Sequence, residues 1–378
     1  MSTVAPPSFP FPVIDPLDPP EGCEDLQAST PVSRVSLPGG HPAWLVTRLA
    51  DVRAVLADGR FSREAITAPD APRVLPIAAG SKSIFVMDAP EHTRLRRLVA
   101  QAFSVRRMDA LRPRVKELTG RLIDTMVAGG APGDLMVHLA QPLPITVICE
   151  LLGVPYTDVD RFRAWTDLML SFGTRSQAEV IAARDALAAY LGELIAAKRG
   201  RAGDDLLTVL VAARDEGDRL SEEELIAFGY TLLGAGYHAT TAGIAHAVLV
   251  LLREPGRWQQ LHEEPSLVPA AVEELLRMSQ AGGGVGALRI AVEDVELGGV
   301  LIRAGEAVLP WINAANRDPE VFVRPAEYDP RRERNPHLTF GHGIHHCLGA
   351  QLGRIELGVA IGALTARLPG LRLSGPGR

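Results

Sequence analysis

From Glu91 onward, apolar residues recur mainly at three- and four-residue spacing, the period of one buried helix face. The pattern predicts helices over Glu91 to Ala102, Val105 to Met126, Leu135 to Leu152, Thr157 to Ser171, Ser176 to Arg199, Asp205 to Asp215, Ser221 to Arg253 and Pro265 to Met278, with a last one from Leu348 to Leu368. The long helix opens with Ser221-Glu222-Glu223-Glu224, in which Ser221 and Glu224 can each satisfy a backbone donor at the helix start. At the standard rise it runs on the order of 48 Å, enough to cross a whole domain. Before Glu91 the pattern is different. Short β-branched runs around Trp44 to Thr47 and a helical piece at Leu49 to Ala57 read as a small sheet with attached helices. Leu288 to Val308 alternates charged and β-branched residues around Gly298-Gly299, so hairpin strands are expected there. Asn316 to Pro336 is studded with proline and reads as irregular.

The fold class expected is therefore mainly α with small β-sheets (α+β). One domain over 1–378 would comprise an N-terminal arm 1–25, a β-rich part at about 30–80 and 285–310, and a helical core at about 90–280 and 337–370. With 378 residues, 47% of them hydrophobic, the chain can bury a large core. Leu225 to Leu252 lacks any Asp, Glu, Lys or Arg, which raises the question of a membrane span. Its Gly229, Gly234, Gly236 and Gly243, with Tyr237, His238, Thr240, Thr241 and His246, favour a buried helix of a soluble protein with no membrane partner. A net charge of -6 disfavours nucleic acid as a partner. Three widely spaced cysteines, Cys23, Cys149 and Cys347, argue against a disulfide framework and fit a cytoplasmic location.

The segment richest in chemistry is Phe340-Gly341-His342-Gly343-Ile344-His345-His346-Cys347-Leu348-Gly349. Its glycines permit a tight loop that delivers Cys347 to the start of the final helix, where the helix's positive end is expected to favour a thiolate, a soft metal ligand. A lone cysteine is ordinarily a small buried hydrophobe. A zinc site built from His342, His345, His346 and Cys347 is the competing metal reading, disfavoured because neighbours in so short a run rarely reach tetrahedral geometry together.

These ten residues resemble, at every fixed position, the haem-binding loop of cytochrome P450 monooxygenases, Phe-Gly-x-Gly-x-His-x-Cys-x-Gly. The resemblance extends over nearly the whole chain and implies the P450 fold, with haem b (iron protoporphyrin IX) held between the long distal helix and the Cys-loop and final helix. It implies Cys347 as the iron ligand, a thiolate that favours O–O cleavage, with Phe340 near the sulfur and Gly349 closing the loop. His345 would contact a haem propionate, and so would His92 and Arg96, one helical turn apart in Asp88-Ala89-Pro90-Glu91-His92-Thr93-Arg94-Leu95-Arg96, and Arg289. Glu274-Leu275-Leu276-Arg277 is similar to the family's buried Glu-x-x-Arg; Glu274 and Arg277, with Arg324, are expected to brace the haem-proximal region. The implied substrate pocket is lined by Phe85, Val86, Leu168, Phe172, Ala235, Ala239, Val285 and Ala287.

One stretch departs from the family pattern. Ala235-Gly236 resembles the small-residue kink of the distal helix, but the acid and threonine that ordinarily follow, and relay protons during oxygen activation, are replaced by His238 and Ala239 in a gapless alignment. A one-residue insertion would put Thr240 in the alcohol's place, and rotate everything after it by about 100°. Ala235, Gly236, His238, Ala239 and Thr240 are thus the candidate catalytic positions. Water alone, a substrate hydroxyl, or a chemistry that needs no ordinary oxygen activation would each account for the missing pair. The function implied is a monooxygenase, taken as monomeric, that uses O2 and electrons from a separate ferredoxin and ferredoxin reductase. It would oxygenate, couple or cyclise a small hydrophobic polyketide, macrolide, terpenoid or peptide. The alternatives are a peroxide-using or radical-coupling P450, and a haem-binding protein without turnover.

Overall fold

The computed structural model describes the chain except for residues 1–5, 73, 75–82, 101, 170–175, 216–219, 281–286 and 376–378. The two β-like stretches, far apart in sequence, meet in one sheet. β1 (Val32–Ser36) pairs antiparallel with β2 (Pro42–Val46), and β3 (Phe61–Ser62) pairs with β4 (Arg289–Ala291). The hairpin expected within Leu288 to Val308 is β5 (Val295–Leu297) and β6 (Val300–Ile302), turning on Gly298 and Gly299 at φ +57° and +76°. Its flanks do not belong to the hairpin. β4 and β7 (Ala307–Pro310) join the N-terminal strands in the order β1-β2-β7-β4-β3, with β7 parallel to β2. This topology sets Arg289 on β4 beside the chain that follows β3.

Prolines and glycines divide the helical core more finely than apolar spacing indicates. The stretch from Val105 is two helices, Val105–Ala110 and Arg112–Ala128, the second with proline in its first turn. Leu135 to Leu152 becomes a π-turn, Met136–Ala140, and a helix, Pro142–Leu152, because Pro142 and Pro144 lack the N–H that a continuous helix would need. A helix at Pro255–Glu263, absent from the periodicity reading, follows the long one. The arm is not wholly irregular either: it contains the helix Cys23–Ser29, and Phe9 and Phe11 pack on Trp311 at ring distances of 5.6 and 5.5 Å.

The long helix, Glu222–Arg253, runs unbroken through the main core and starts with the expected cap: Ser221 N–H donates to Glu224 Oε2 at 2.8 Å and Glu224 N–H to Ser221 Oγ at 3.1 Å. It passes the length and hydropathy test for a membrane span, yet its apolar side chains pack on the helices around it, Leu225, Leu233, Ile244 and Leu251 being fully buried. Its glycines let those helices close in. A Cβ on Gly236 would lie 3.1 Å from Ile148 of Pro142–Leu152, and one on Gly229 3.2 Å from Leu191 of Gln177–Lys198.

Beneath the Cys-loop lies a buried ionic network. Arg277 donates to both Glu274 oxygens, at 2.7 and 2.8 Å, and to the carbonyls of Asn316, Pro325 and Glu327. The third partner expected was Arg324, and here the structure corrects the sequence reading. Arg324 is exposed, at φ +50°, and pairs with Glu327 on the surface. Arg332 reaches Glu274 instead, at 3.1 Å and with its side chain 8% exposed, because the irregular segment doubles back before the loop. Removing one partner from a buried pair leaves an uncompensated charge. Arg332→Ala should therefore lower the unfolding free energy by roughly 3 kcal/mol, whereas Arg324→Ala should change it by less than about 0.5 kcal/mol. Urea denaturation would measure both, and equal midpoints would contradict this assignment.

Candidate active site

The Cys-loop owes its shape to two left-handed glycines, Gly341 at φ +73° and Gly343 at φ +69°. At Gly343 the constraint is also steric, since a Cβ there would sit 2.4 Å from the carbonyl oxygen of Leu56. Gly341 N–H donates to Leu338 O at 2.7 Å and Cys347 N–H to Phe340 O at 2.8 Å, closing the loop ahead of the final helix, Ala350–Arg367. Phe340 is seated on that helix, against Gly353 and under the Arg354 guanidinium at 4.4 Å.

Of the three cysteines only Cys347 is accessible. Cys23 and Cys149 are buried and their thiols are pushed up to about 12 by desolvation. Surrounding protein raises Cys347 as well, partly opposed by the Gly349 N–H and by Arg96 and Arg354. The Gly349 N–H, one residue before the helix begins at Ala350, is the helix-end donor that favours the thiolate, with Arg96 and Arg354 beside it.

Above the loop, basic side chains from four parts of the chain converge. His92 lies 4.3 Å from His345, ring to ring, and Arg96 Nη2 donates to the His346 carbonyl. Arg289 is 3% exposed and donates Nη1 to two carbonyls of its own segment, Ala287 and Leu288. Arg63, also 3% exposed, completes the group, and sequence reasoning missed it. No local motif marks Arg63; only the pairing of Ser62 with Ile290 brings it beside Arg289. Burial, and then Arg289, Arg63, His92 and Arg96, push His345 down to about 2. Burial and Arg63 together hold Arg289 well below its ordinary value. The nearest carboxylate, Asp88, already accepts from Ser62 Oγ and from the backbone N–H groups of Arg63 and Glu64. Both nitrogens of His92, Nε and Nη2 of Arg63, and Nε2 of His345 are buried without partners. The orphaned guanidinium N–H groups of Arg63 and the imidazole N–H groups of His92 and His345, beside Arg96 and Arg289, fit an anionic ligand.

The opposite wall is the middle of the long helix. Ala235, Ala239 and Ala242 are exposed there although the helix is otherwise embedded, so one stripe faces an open cleft. At about 100° per residue, Thr240 and His238 lie to either side of Ala239. Gly236 packs on Ile148, and His238 is half-buried towards Asp167 of the helix Val159–Met169, at 3.6 Å. Thr241 is buried. Of the five candidate catalytic positions, the cleft thus receives Ala235 and Ala239. Phe85 is exposed, with its ring 4.0 Å over the Arg63 guanidinium, and Leu168 is half-buried. Val86 and Ala287 are buried in the apolar clusters around the sheet rather than lining the cleft, Val86 beside Ile66 and Leu288. Phe172 and Val285 fall outside the described residues.

The zinc reading does not survive this geometry. His342 Nε2 accepts from Arg53 Nε at 3.2 Å, His345 stacks on His92, and among the described residues no three His, Cys, Asp or Glu side chains converge on a point a metal could occupy.

An accessible thiol ahead of the final helix, a group of buried arginines and histidines with orphaned nitrogens, and an open alanine stripe on the long helix together fit a haem-thiolate protein. The family model described as Cytochrome P450 matches residues 156–367. The chain is 50% identical over 370 residues to nocardicin C N-oxygenase of Nocardia uniformis subsp. tsuyamanensis, covering 98% of this chain and 93% of the relative. It is 48% identical to mycinamicin IV hydroxylase/epoxidase of Micromonospora griseorubida, covering 100% and 94%. The crystal structure of SgvP, a putative thioether synthase in griseoviridin tailoring, superposes with a TM-score of 0.92 at 44% identity, covering 98% and 94%. The chain belongs to the cytochrome P450 family, haem b enzymes of the oxidoreductase class with a cysteine thiolate on iron. Arg63, unassigned by its sequence, should matter to cofactor retention: in Arg63→Ala, haem transfer to excess apomyoglobin should be roughly tenfold faster, the loss of one charge-assisted hydrogen bond. A transfer rate equal to that of the wild type would remove Arg63 from the cradle.

Proposed function

We propose that this protein is a monooxygenase that oxidises a hydrophobic natural product of the polyketide, macrolide, terpenoid or peptide kind, with Cys347 as the iron ligand. Arg63, His92, Arg96, Arg289 and His345 would hold the haem propionates. The observation that carries this reading is the pairing of the one accessible thiol with a bare alanine wall and a cluster of buried arginines and histidines whose nitrogens are partly orphaned. Bound haem supplies the redox chemistry that splits dioxygen and oxidises the substrate. The chain's own contributions are orientation and exclusion. Ala235 and Ala239 leave room for a bulky apolar substrate, and Phe85, fixed over Arg63, offers it an aromatic surface. The names of the two similar enzymes, which specify nocardicin C and mycinamicin IV, support the natural-product class.

Electrons would come from a separate ferredoxin and its reductase, and the enzyme would act as a cytoplasmic monomer. One observation favours a second reading within the same class. Ala239 provides no hydroxyl in the cleft, and SgvP, so similar in structure, is named for forming a thioether; oxidative coupling or ring closure is therefore the alternative outcome at the same site. The reduced, carbon monoxide-bound spectrum tests the ligand assignment. The wild type should show its Soret band at the thiolate position, and Cys347→His should lose it; an unchanged band in that variant would refute the assignment.

A further inference from the structure

The alanine stripe poses a proton problem. Oxygenating one C–H bond consumes one dioxygen, two electrons and two protons, and yields the alcohol and one water. Ala235, Ala239 and Ala242, which face the cleft, carry no proton donor. Between Leu225 and Leu252 the long helix has no acid, lysine or arginine, and its titratable side chains are Tyr230, Tyr237, His238 and His246. Burial holds Tyr230 and Tyr237 above the ordinary phenol range. His246, two turns further on, is buried and pushed down to about 4 by desolvation and Arg317. That leaves His238, next to Ala239 and on the flank of the cleft-facing stripe.

His238 does not stand alone. Its Nε2 lies 3.6 Å from Asp167 Oδ1, and the Thr166 carbonyl and the Asp167 charge both favour its protonated form. The Tyr237 ring lies 4.4 Å from the imidazole, and Asp167 helps to keep its phenol protonated. Nε2 is itself buried and has no hydrogen-bond partner. A neutral ring protonated on Nδ1 turns the Nε2 lone pair towards the carboxylate, and that gap has a place for one proton. The Asp167 side chain is 45% exposed, so the proton can arrive from solvent.

We propose that Asp167 and His238 form the proton inlet of the distal cleft, so that the acid the long helix lacks is contributed by the neighbouring helix Val159–Met169. The proposal rests on the haem-thiolate reading above. In each delivery an O–H bond on Asp167 or its hydrating water breaks and an N–H bond forms at Nε2. The resulting imidazolium gives its Nδ1 proton to a water beside Ala239, exchange of the remaining ring proton through water restores the starting tautomer, and the carboxylate is recharged from solvent. The two electrons come from the external one-electron donor protein, so the dyad undergoes no redox change. His238 is the transferring group and Asp167 its positioning residue. Tyr237 packs against the imidazole, and the Arg163 guanidinium is the cation near this cluster. Desolvation lowers the His238 pKa while Asp167 raises it, so delivery falls as pH rises through that value, and removing the carboxylate moves the falling limb to lower pH.

The test uses the holoenzyme with a surrogate ferredoxin and reductase and 7-ethoxycoumarin as an apolar probe, comparing wild type with Asp167→Asn, Asp167→Glu and His238→Gln. Oxygen reduced to water and product, rather than released as peroxide, should fall by about tenfold to a hundredfold in His238→Gln and Asp167→Asn, with a larger solvent isotope effect in D2O. Asp167→Glu should restore most of it. Nitrogen-15 histidine spectra of the reduced, carbon monoxide-bound form give a readout independent of turnover: the His238 titration should move to lower pH in Asp167→Asn. A wild-type isotope effect and partition in both variants, or a His238 titration indifferent to Asp167, would overturn the inlet while a thiolate Soret band leaves the haem reading intact. A wild-type protein without that band would overturn both.

Discussion

Positive charge without a counter-charge organises this structure. Arg63 and Arg289 are almost wholly buried, Arg96 adds a third guanidinium, and the neutral imidazoles of His92 and His345 lie among them, while the nearby carboxylate of Asp88 is already engaged. Isolated ions are very costly to bury unless they are paired. The fold accepts that cost because its topology leaves little freedom: β3 pairs with β4, which fixes Arg63 beside Arg289, while the Cys-loop carries His345 against His92. The same loop is closed by the Gly343 contact with Leu56, so the thiol and the cationic rim are held by one set of constraints. A cofactor with two carboxylates would satisfy the rim and bring its metal to the sulfur in a single binding event.

The wall across the cleft follows the opposite principle. Most faces of the long helix are packed, with glycines where neighbouring helices press closest, and the stripe left open is reduced to methyl groups. Polar chemistry is displaced outward to Asp167, Tyr237 and His238, at the seam with the helix Val159–Met169. A wall of this kind offers a large apolar substrate room and little direction. Orientation must then come from groups such as Phe85 and from the substrate's own shape.

What could be read from the sequence was whatever a local pattern encodes. The capping box at Ser221, the Gly-rich loop around Cys347 and the Glu274-Arg277 spacing each specify geometry within a few residues, and the structure places them as local chemistry requires. The misses are non-local. Arg332 rather than Arg324 joins Glu274 because an irregular segment folds back, and Arg63 enters the cradle through a strand pairing that spans more than two hundred residues. Val86 and Ala287, expected at the pocket, are buried in the apolar clusters around the sheet. Helix boundaries shifted at Pro113 and Pro142, where a missing backbone donor outweighs apolar spacing.

The buried arginines Arg63 and Arg289, with Arg96, are proposed to match the two carboxylates of the cofactor. This match is tested most directly by comparing haem b with its dimethyl ester, in which both propionates are neutral, in the reconstituted protein. Release of the ester to apomyoglobin should be at least about tenfold faster than release of haem b, a difference of roughly 1.4 kcal/mol or more. Equal release rates would mean that the cationic rim does not recognise the propionates, and would contradict the account.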